Sequence, residues 1–283
     1  MPDSPAETLL VPGAAGRLGG FLRAAWADTP PGFRPVWQSR RPVPGWSRWD
    51  PDTTPMLPAA AVLVLAGVTA GTGAELARNT DIALAACRAA EAAGARQVFL
   101  ASSAAVYGPT GNPVAETGPV NPVRPYGAAK LAMERAALGW ARGRAIRVTA
   151  LRIGNVAGAD MLAGAAARGD VALDTFPDAP RGPVRSYIGP GGLARVIATL
   201  VEQALNGGDL PDILNLAAPA PVAMADLLDA AGIRFTPRPA PPEAIARVVM
   251  DTAALARLVP PRPGDSLPAT MVAEWRALSG RQP

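Results

Sequence analysis

The chain contains no histidine, one cysteine and, among its 27 basic residues, a single lysine. Each scarcity removes chemistry. Without histidine, neither a Ser-His-Asp nor a Cys-His nucleophile can be assembled. With histidine absent and cysteine alone, the usual zinc ligand sets are excluded, so no metal site is expected. Cys87 cannot form an internal disulfide. It falls in an alanine-rich stretch expected to be helical, where a small buried thiol is the plain reading. Aromatic residues make up only 5% of the chain and the arginines are scattered. Neither a basic block nor an interleaved aromatic array therefore speaks for nucleic-acid binding. The longest apolar run, Ala59 to Val68, is too short to span a bilayer, so no membrane partner is expected. Met1 to Thr8 carries Asp3 and Glu7 and leads straight into an apolar segment, unlike a signal peptide. These absences point to a cytoplasmic protein.

What is present begins with the lone lysine. Lys130 stands four residues after Tyr126 in Pro125-Tyr-Gly-Ala-Ala-Lys130. In a chain that otherwise uses arginine, a surviving lysine marks a place that needs a compact ammonium rather than a planar guanidinium. Tyrosine and lysine at i and i+4 share a helix face. There the ammonium is expected to lower the phenol's pKa from its ordinary value near ~10 toward the working pH. A tyrosine so tuned serves as a general acid or base. A solvated Tyr-Lys pair on a helix face would have the same spacing, and the rest of the chain decides between them.

Leu9-Leu-Val11 reads as a strand ending in Pro12-Gly13-Ala-Ala-Gly16-Arg-Leu-Gly19, after which Gly20 to Trp26 can be helical. Strand, glycine-rich turn and helix in that order open a nucleotide-binding α/β unit. The helix N-terminus there offers free N–H groups to phosphates. Further strands are expected over 35–39, 61–65, 97–101 and 147–151, and helices over 75–93 and 126–141. This alternation predicts an α/β fold, a Rossmann-like doubly wound parallel sheet with a smaller C-terminal substrate-binding part. At 283 residues the chain can hold one large domain with such an appendage. Past Asn155 the pattern loosens into Gly, Pro and Asp. The expected division is 1–155 as the dinucleotide-binding domain, with roughly 187–217 returning to it. Residues 156–186 and 218–283 then form the smaller substrate-binding part.

Four motifs in order carry a resemblance to the extended short-chain dehydrogenase/reductase family, the NAD-dependent epimerase/dehydratase type, over most of residues 8–218. They are Gly13-x-x-Gly16-x-x-Gly19, Ser102-Ser103-Ala-Ala-Val-Tyr-Gly108, Tyr126-x-x-x-Lys130 and Leu151-Arg-Ile-Gly-Asn155-Val-Ala-Gly158. The resemblance implies that Ser103 hydrogen-bonds the reacting substrate oxygen, with Ser102 as the off-by-one alternative. Tyr126 would transfer its proton, and Lys130 would hold the nicotinamide ribose. It further implies cofactor contacts from Gly13, Gly16, Arg17, Leu18 and Gly19, from Leu65, Ala66 and Gly67, and from Asp50, set beside the adenine amine. Asn79 would lie in the helix behind the cofactor, although an ordinary helix-start polar residue reads almost as well. Asn155 and Arg185 are the implied substrate contacts, with Arg247 a further anion contact; either arginine could instead pair with a surface carboxylate.

At the end of the second strand an acidic residue selects NAD and an arginine accommodates the extra phosphate of NADP. Here Gln38-Ser39-Arg40-Arg41 offers no carboxylate. NADP is therefore favoured over NAD, with Arg40 and Arg41 gripping the 2′-phosphate, unless the two are merely solvated surface. Two departures from the family pattern matter. Val184-Arg185-Ser186-Tyr187-Ile188 continues into Gly189-Pro-Gly-Gly192, where family members carry a histidine and two aspartates, so the helix start there must be built differently. Ala104-Ala105 follow the serines where 4,6-dehydratases place acids, which disfavours dehydration. The expected activity is an NAD(P)-dependent oxidoreductase or epimerase that interconverts a secondary alcohol and a ketone on a sugar-like or small polar substrate. A UDP-sugar 4-epimerase and a non-catalytic NADP-binding redox sensor are the alternatives. A homodimer through the helices over 75–93 and 126–141 is the expected assembly.

Overall fold

A computed structural model describes residues 7–160, 169 and 171–280. Seven strands form one sheet: β1 (Thr8–Pro12), β2 (Arg34–Ser39), β3 (Ser47–Arg48), β4 (Ala61–Val64), β5 (Gln97–Ser103), β6 (Arg147–Ile153) and β7 (Ile213–Leu216). Their order is β7-β6-β5-β4-β1-β2-β3, and every neighbouring pair is parallel. The expected doubly wound parallel sheet is present. Its direction of winding reverses between β1 and β4, where such sheets open a crevice beyond the strands' carboxyl ends.

Among the described residues the helices are α1 (Arg17–Asp28), α2 (Gly73–Ala92), α3 (Pro125–Ala141), α4 (Pro190–Leu205), α5 (Met224–Ala230), α6 (Ala253–Leu258) and α7 (Pro268–Ser279). α2 starts earlier than the apolar pattern predicts because of a reciprocal cap. The Thr72 hydroxyl accepts from the Glu75 amide at 3.3 Å, and the Glu75 carboxylate accepts from the Thr72 amide at 2.7 Å. α3 starts on Pro125, whose missing N–H is no loss at a first helical position.

The strands are buried on both faces, as a parallel sheet requires. Leu9, Val11, Leu63, Phe99, Leu151 and Ile153 face a core shared with Phe21 and Leu22 of α1 and Leu193, Ile197 and Leu200 of α4. Their neighbours Leu10, Val62, Val64, Val98, Leu100 and Val148 face Ala83, Ala86 and Cys87 of α2 and Met133 and Ala137 of α3. Burying each large side chain contributes roughly 1.5–3 kcal/mol. Burial also pushes the Cys87 thiol up to about 12, so it stays protonated.

Segment 218–283, expected in the smaller part, sends Leu255, Val259 and Leu278 into the α1/α4 core. The remainder forms short pairings. Ala172–Thr175 runs parallel to Thr236–Pro239, and Val184–Arg185 lies between Val222–Ala223 and Arg247–Val248. Residues 161–168 and 170 of the expected 156–186 part lie outside the described residues. No described helix is long and apolar enough to cross a membrane.

Candidate active site

The crevice begins at Gly13, where φ is +87°, a left-handed value that favours glycine. A side chain there would also collide with the backbone of Ala66. The Gly13 and Ala14 amides donate to the Gln38 carbonyl at 3.2 and 3.3 Å, while the Leu65 and Ala66 amides donate to the Pro12 carbonyl at 2.9 and 3.0 Å. The ends of β1, β2 and β4 are thereby tied into one rim. No side chain caps α1 at Gly16, which leaves its first-turn N–H groups, those of Arg17, Leu18 and Gly19, available to an anion. Arg17 reaches the Asp160 carbonyl at 3.4 Å.

Beyond β2, Arg40 and Arg41 are exposed and make no ion pair among the described residues. The Arg41 amide donates to the Ser39 hydroxyl at 3.2 Å. Asp50 follows β3 and accepts the Asp52 amide at 3.1 Å.

Beneath the rim lies Gly67. A Cβ at that position would sit 2.7 Å from Asn79 Oδ1 and 3.3 Å from Lys130 Nζ. Asn79 is fully engaged: it accepts the Val68 amide at 3.1 Å and donates to the Val68 and Leu76 carbonyls at 2.9 and 2.8 Å. Its role in the structure is to pin the segment after β4. A glycine-lined cradle, an uncapped helix start and a buried ammonium beside Gly67 fit an extended anionic dinucleotide.

Tyr126, Lys130 and Glu134 descend one face of α3, and each meets a consecutive residue of β5. The Tyr126 phenol lies beside the Ser103 side chain, which acts to lower its pKa. Lys130 Nζ donates to the Ala101 carbonyl at 2.8 Å. The Ser102 hydroxyl donates to Glu134. Ser102 is therefore committed to Glu134, and of the two serines Ser103 is the one beside the phenol. Ser103 Oγ also accepts the Ala105 amide at 3.2 Å, capping the turn Ala104–Val106.

The electrostatics differ from the sequence expectation in one respect. Tyr126 is pushed above the ordinary tyrosine value by burial, which outweighs the lowering effect of Ser103. Lys130 does not offset this. Its nitrogen lies 5.9 Å from the centre of the tyrosine ring and spends a hydrogen bond on Ala101. Burial brings Lys130 itself down to about 8, against the raising effect of Glu134.

Sequence reasoning passed over the residues behind this pair. Arg152 of β6 grips Glu134 with an Nη2–Oε2 distance of 2.8 Å, the side chains being only 3% and 2% exposed. It also donates to the Tyr107 hydroxyl at 2.9 Å and the Glu116 carbonyl at 3.2 Å. Tyr107 donates to Asn215 Oδ1 at 2.6 Å, and Asn215 Nδ2 donates to the carbonyls of Val114 and Asp251 at 3.0 and 2.9 Å. Two signals were available. Glu134 repeats the four-residue spacing from Lys130, and an arginine inside a buried strand demands a partner.

On the substrate side, Asn155 Nδ2 lies 3.4 Å from Asp160 Oδ2, which also accepts the Tyr187 hydroxyl at 2.6 Å. Arg185 donates to the carbonyls of Val184, Ala246 and Ile245 at 2.9, 3.1 and 2.7 Å. Burial lowers its pKa. Much of its donor capacity thus clamps neighbouring backbone, leaving Nε–H and one Nη2–H for anything else. Arg247 sits on the adjacent strand, in register with Val184. The unusual Gly189-Pro-Gly-Gly192 start of α4 is capped from a distance: Glu274 of α7 accepts the Gly191 and Gly192 amides at 3.0 and 3.1 Å.

Residues 52–171 match the model of the NAD dependent epimerase/dehydratase family, and the fold matches solved structures of sugar-nucleotide epimerases. Over those residues the chain is similar to this family. A UDP-glucose 4-epimerase of Lactobacillus helveticus is 45% identical over 69 residues, 24% of this chain and 21% of that protein. The same enzyme of Azospirillum brasilense is 41% identical over 83 residues, 29% of this chain and 24% of that one. These alignments span about a quarter of the curated relatives' length. In fold, the epimerase/dehydratase likeness extends further. A UDP-glucose 4-epimerase from Stenotrophomonas maltophila with bound NAD and formylated UDP-arabinopyranose superposes with a TM-score of 0.80. That match covers 97% of this chain and 98% of that one at 20% identity.

Proposed function

We propose that the chain is an NAD(P)-dependent oxidoreductase or epimerase that interconverts a secondary alcohol and a ketone on a sugar-like or other small polar substrate. The observation that carries this reading is the convergence of Ser103, Tyr126 and Lys130 at the carboxyl end of β5, beside the glycine rim. When bound, the nicotinamide dinucleotide supplies the hydride acceptor or donor. Ser103 and Tyr126 hydrogen-bond the substrate oxygen. Tyr126 gives its proton to that oxygen when a ketone is reduced and takes it back when an alcohol is oxidised. The raised pKa of Tyr126 keeps its phenol protonated in the free protein. Lys130 supplies the positive charge that stabilises a developing phenolate. Ala104 and Ala105 after Ser103 offer no acid for water elimination. The free guanidinium groups of Arg40 and Arg41 support NADP over NAD. The test is turnover on a panel of sugar nucleotides and small sugar ketones with NADH or NADPH, alongside Tyr126→Phe; equal turnover by that variant overturns the assignment.

A second reading, UDP-sugar 4-epimerase, is favoured by the names of the relatives matched. It requires interconversion of UDP-glucose and UDP-galactose without net consumption of dinucleotide. For assembly, we propose a homodimer through α2 and α3, whose outer surface exposes Ala128, Ala132 and Gly139. A monomeric mass in light scattering excludes it.

A further inference from the structure

We propose that Glu134 is a positioning residue for the Tyr126–Lys130 pair: a buried carboxylate that supplies the countercharge keeping the only lysine an ammonium beside the crevice. This rests on the reading of that pair as the proton-transfer machinery.

The argument starts from position. Glu134 is one turn beyond Lys130 and two beyond Tyr126 on α3, and it is 1% exposed. It cannot swing into water. Ser102 and the guanidinium of Arg152 hold both its oxygens, with Arg152 Nε at 3.1 and 3.2 Å and Nη2 at 2.8 Å. Arg152 is in turn anchored by Tyr107 and the Glu116 carbonyl. The carboxylate is therefore held in place.

The charges around Lys130 are few. Its own helix provides Glu134 and the neutral Tyr126, and β6 provides Arg152. β5 gives the Ala101 carbonyl and two serine hydroxyls. α2 gives Asn79 and, further along, the neutral thiol of Cys87. Among the described residues Glu134 is the one anionic group in this set. Lysine, arginine and glutamate sum to a single positive charge, which complements the negative charge that develops on the phenol when it gives up its proton. Removing the carboxylate leaves two buried cations, and the lysine, unlike arginine, can shed its proton.

The lone lysine makes the test direct. With 13C-labelled lysine, the ε-carbon signal of the folded protein reports Lys130 alone and requires no turnover. Glu134→Gln is expected to lower the midpoint of that titration by about one pH unit or more, and Glu134→Asp to lower it by less. The high-pH limb of kcat/KM should move with it, kcat falling more than KM rises at pH 7.5. If both variants fold, measured by circular dichroism, and the lysine midpoint does not move, the proposal is wrong and Glu134 is only a strut. Should neither variant fold, the wild-type protein still decides. A countercharge inside the protein makes the midpoint insensitive to salt from 0.05 to 1 M, on the scale set by Debye screening, and a salt-dependent midpoint overturns the proposal. A moved midpoint with no turnover by any form would instead remove the enzymatic reading and leave the charge relation standing.

Discussion

Glu274 occupies the space that a side chain at Gly189 would take. A Cβ at Gly189 would collide with the Glu274 carboxylate, and one at Gly191 would press on it at 2.9 Å. The glycines form a notch and the last helix fills it, capping α4 through the amides of Gly191 and Gly192. Burial raises the Glu274 pKa despite those two amides. For an acid this means that the folded state holds the proton more tightly than the unfolded state. Stability therefore falls as pH rises from the ordinary carboxyl value toward the raised one. Glu274→Gln keeps an acceptor without the buried charge and should flatten this fall in thermal melts from pH 4 to 8. Glu274→Ala should cost about 0.5–2 kcal/mol, the usual loss of a helix cap.

Tyr126→Phe removes one oxygen from a half-buried site without opening a cavity. Turnover is expected to drop about 10²–10⁴-fold, the usual contribution of a general acid or base. Dinucleotide affinity, followed by nicotinamide fluorescence, should remain within a few-fold. Activity near the wild-type level in the phenylalanine variant would remove Tyr126 from the chemistry.

Lys130 gives a stability prediction of the opposite sign to Glu274. Its folded pKa of about 8 lies below the ordinary lysine value, so the unfolded chain binds the proton more tightly over that interval. Stability rises with pH from about 8 to ~10.4, by roughly 3 kcal/mol if the whole difference counts. Lys130→Met should lack this rise. Urea midpoints of both proteins at pH 7.5 and 10 measure the difference, and parallel behaviour would show that the ammonium is not desolvated.

Arg40→Ala combined with Arg41→Ala should weaken NADPH binding by at least ~10-fold, because two charge-assisted contacts to a phosphate are lost. NADH binding should change little. The NADPH affinity of the parent protein should also fall with added salt, since both arginines are exposed. Tighter binding of NADH than NADPH by the parent protein would discard this use of the two arginines.

Much of the architecture was readable in advance because it is written in local pattern. β1, β4, β5 and β6 are apolar runs bounded by turns, and α2 and α3 carry long alanine-rich faces. β3 and β7 were not separately identified. The first is only two residues long, and the second follows Asn206-Gly-Gly-Asp-Leu-Pro-Asp212, which gives no periodic signal. For the candidate site, motif spacing brought Ser103, Tyr126 and Lys130 to attention, and they do lie together. It could not supply Arg152–Glu134, Tyr107–Asn215 or the capping of α4 by Glu274, since each joins residues 18 to 108 positions apart. The fall in phenol pKa was a local inference from four-residue spacing. It overlooked how deeply the ring would be buried and that Lys130 would turn to a β5 carbonyl.

The pairing of Tyr107 with Asn215, and of Asn215 with Asp251, sets an order of assembly. β1 through β6 can align as they leave the ribosome, but β6 remains an open edge until residues 213–216 emerge and add β7. Long-range parallel pairing of this kind is slow and vulnerable to wrong partners. The support beneath the candidate site is thus completed only once residues 213–251 have emerged, so a nascent chain shorter than that cannot carry a finished site.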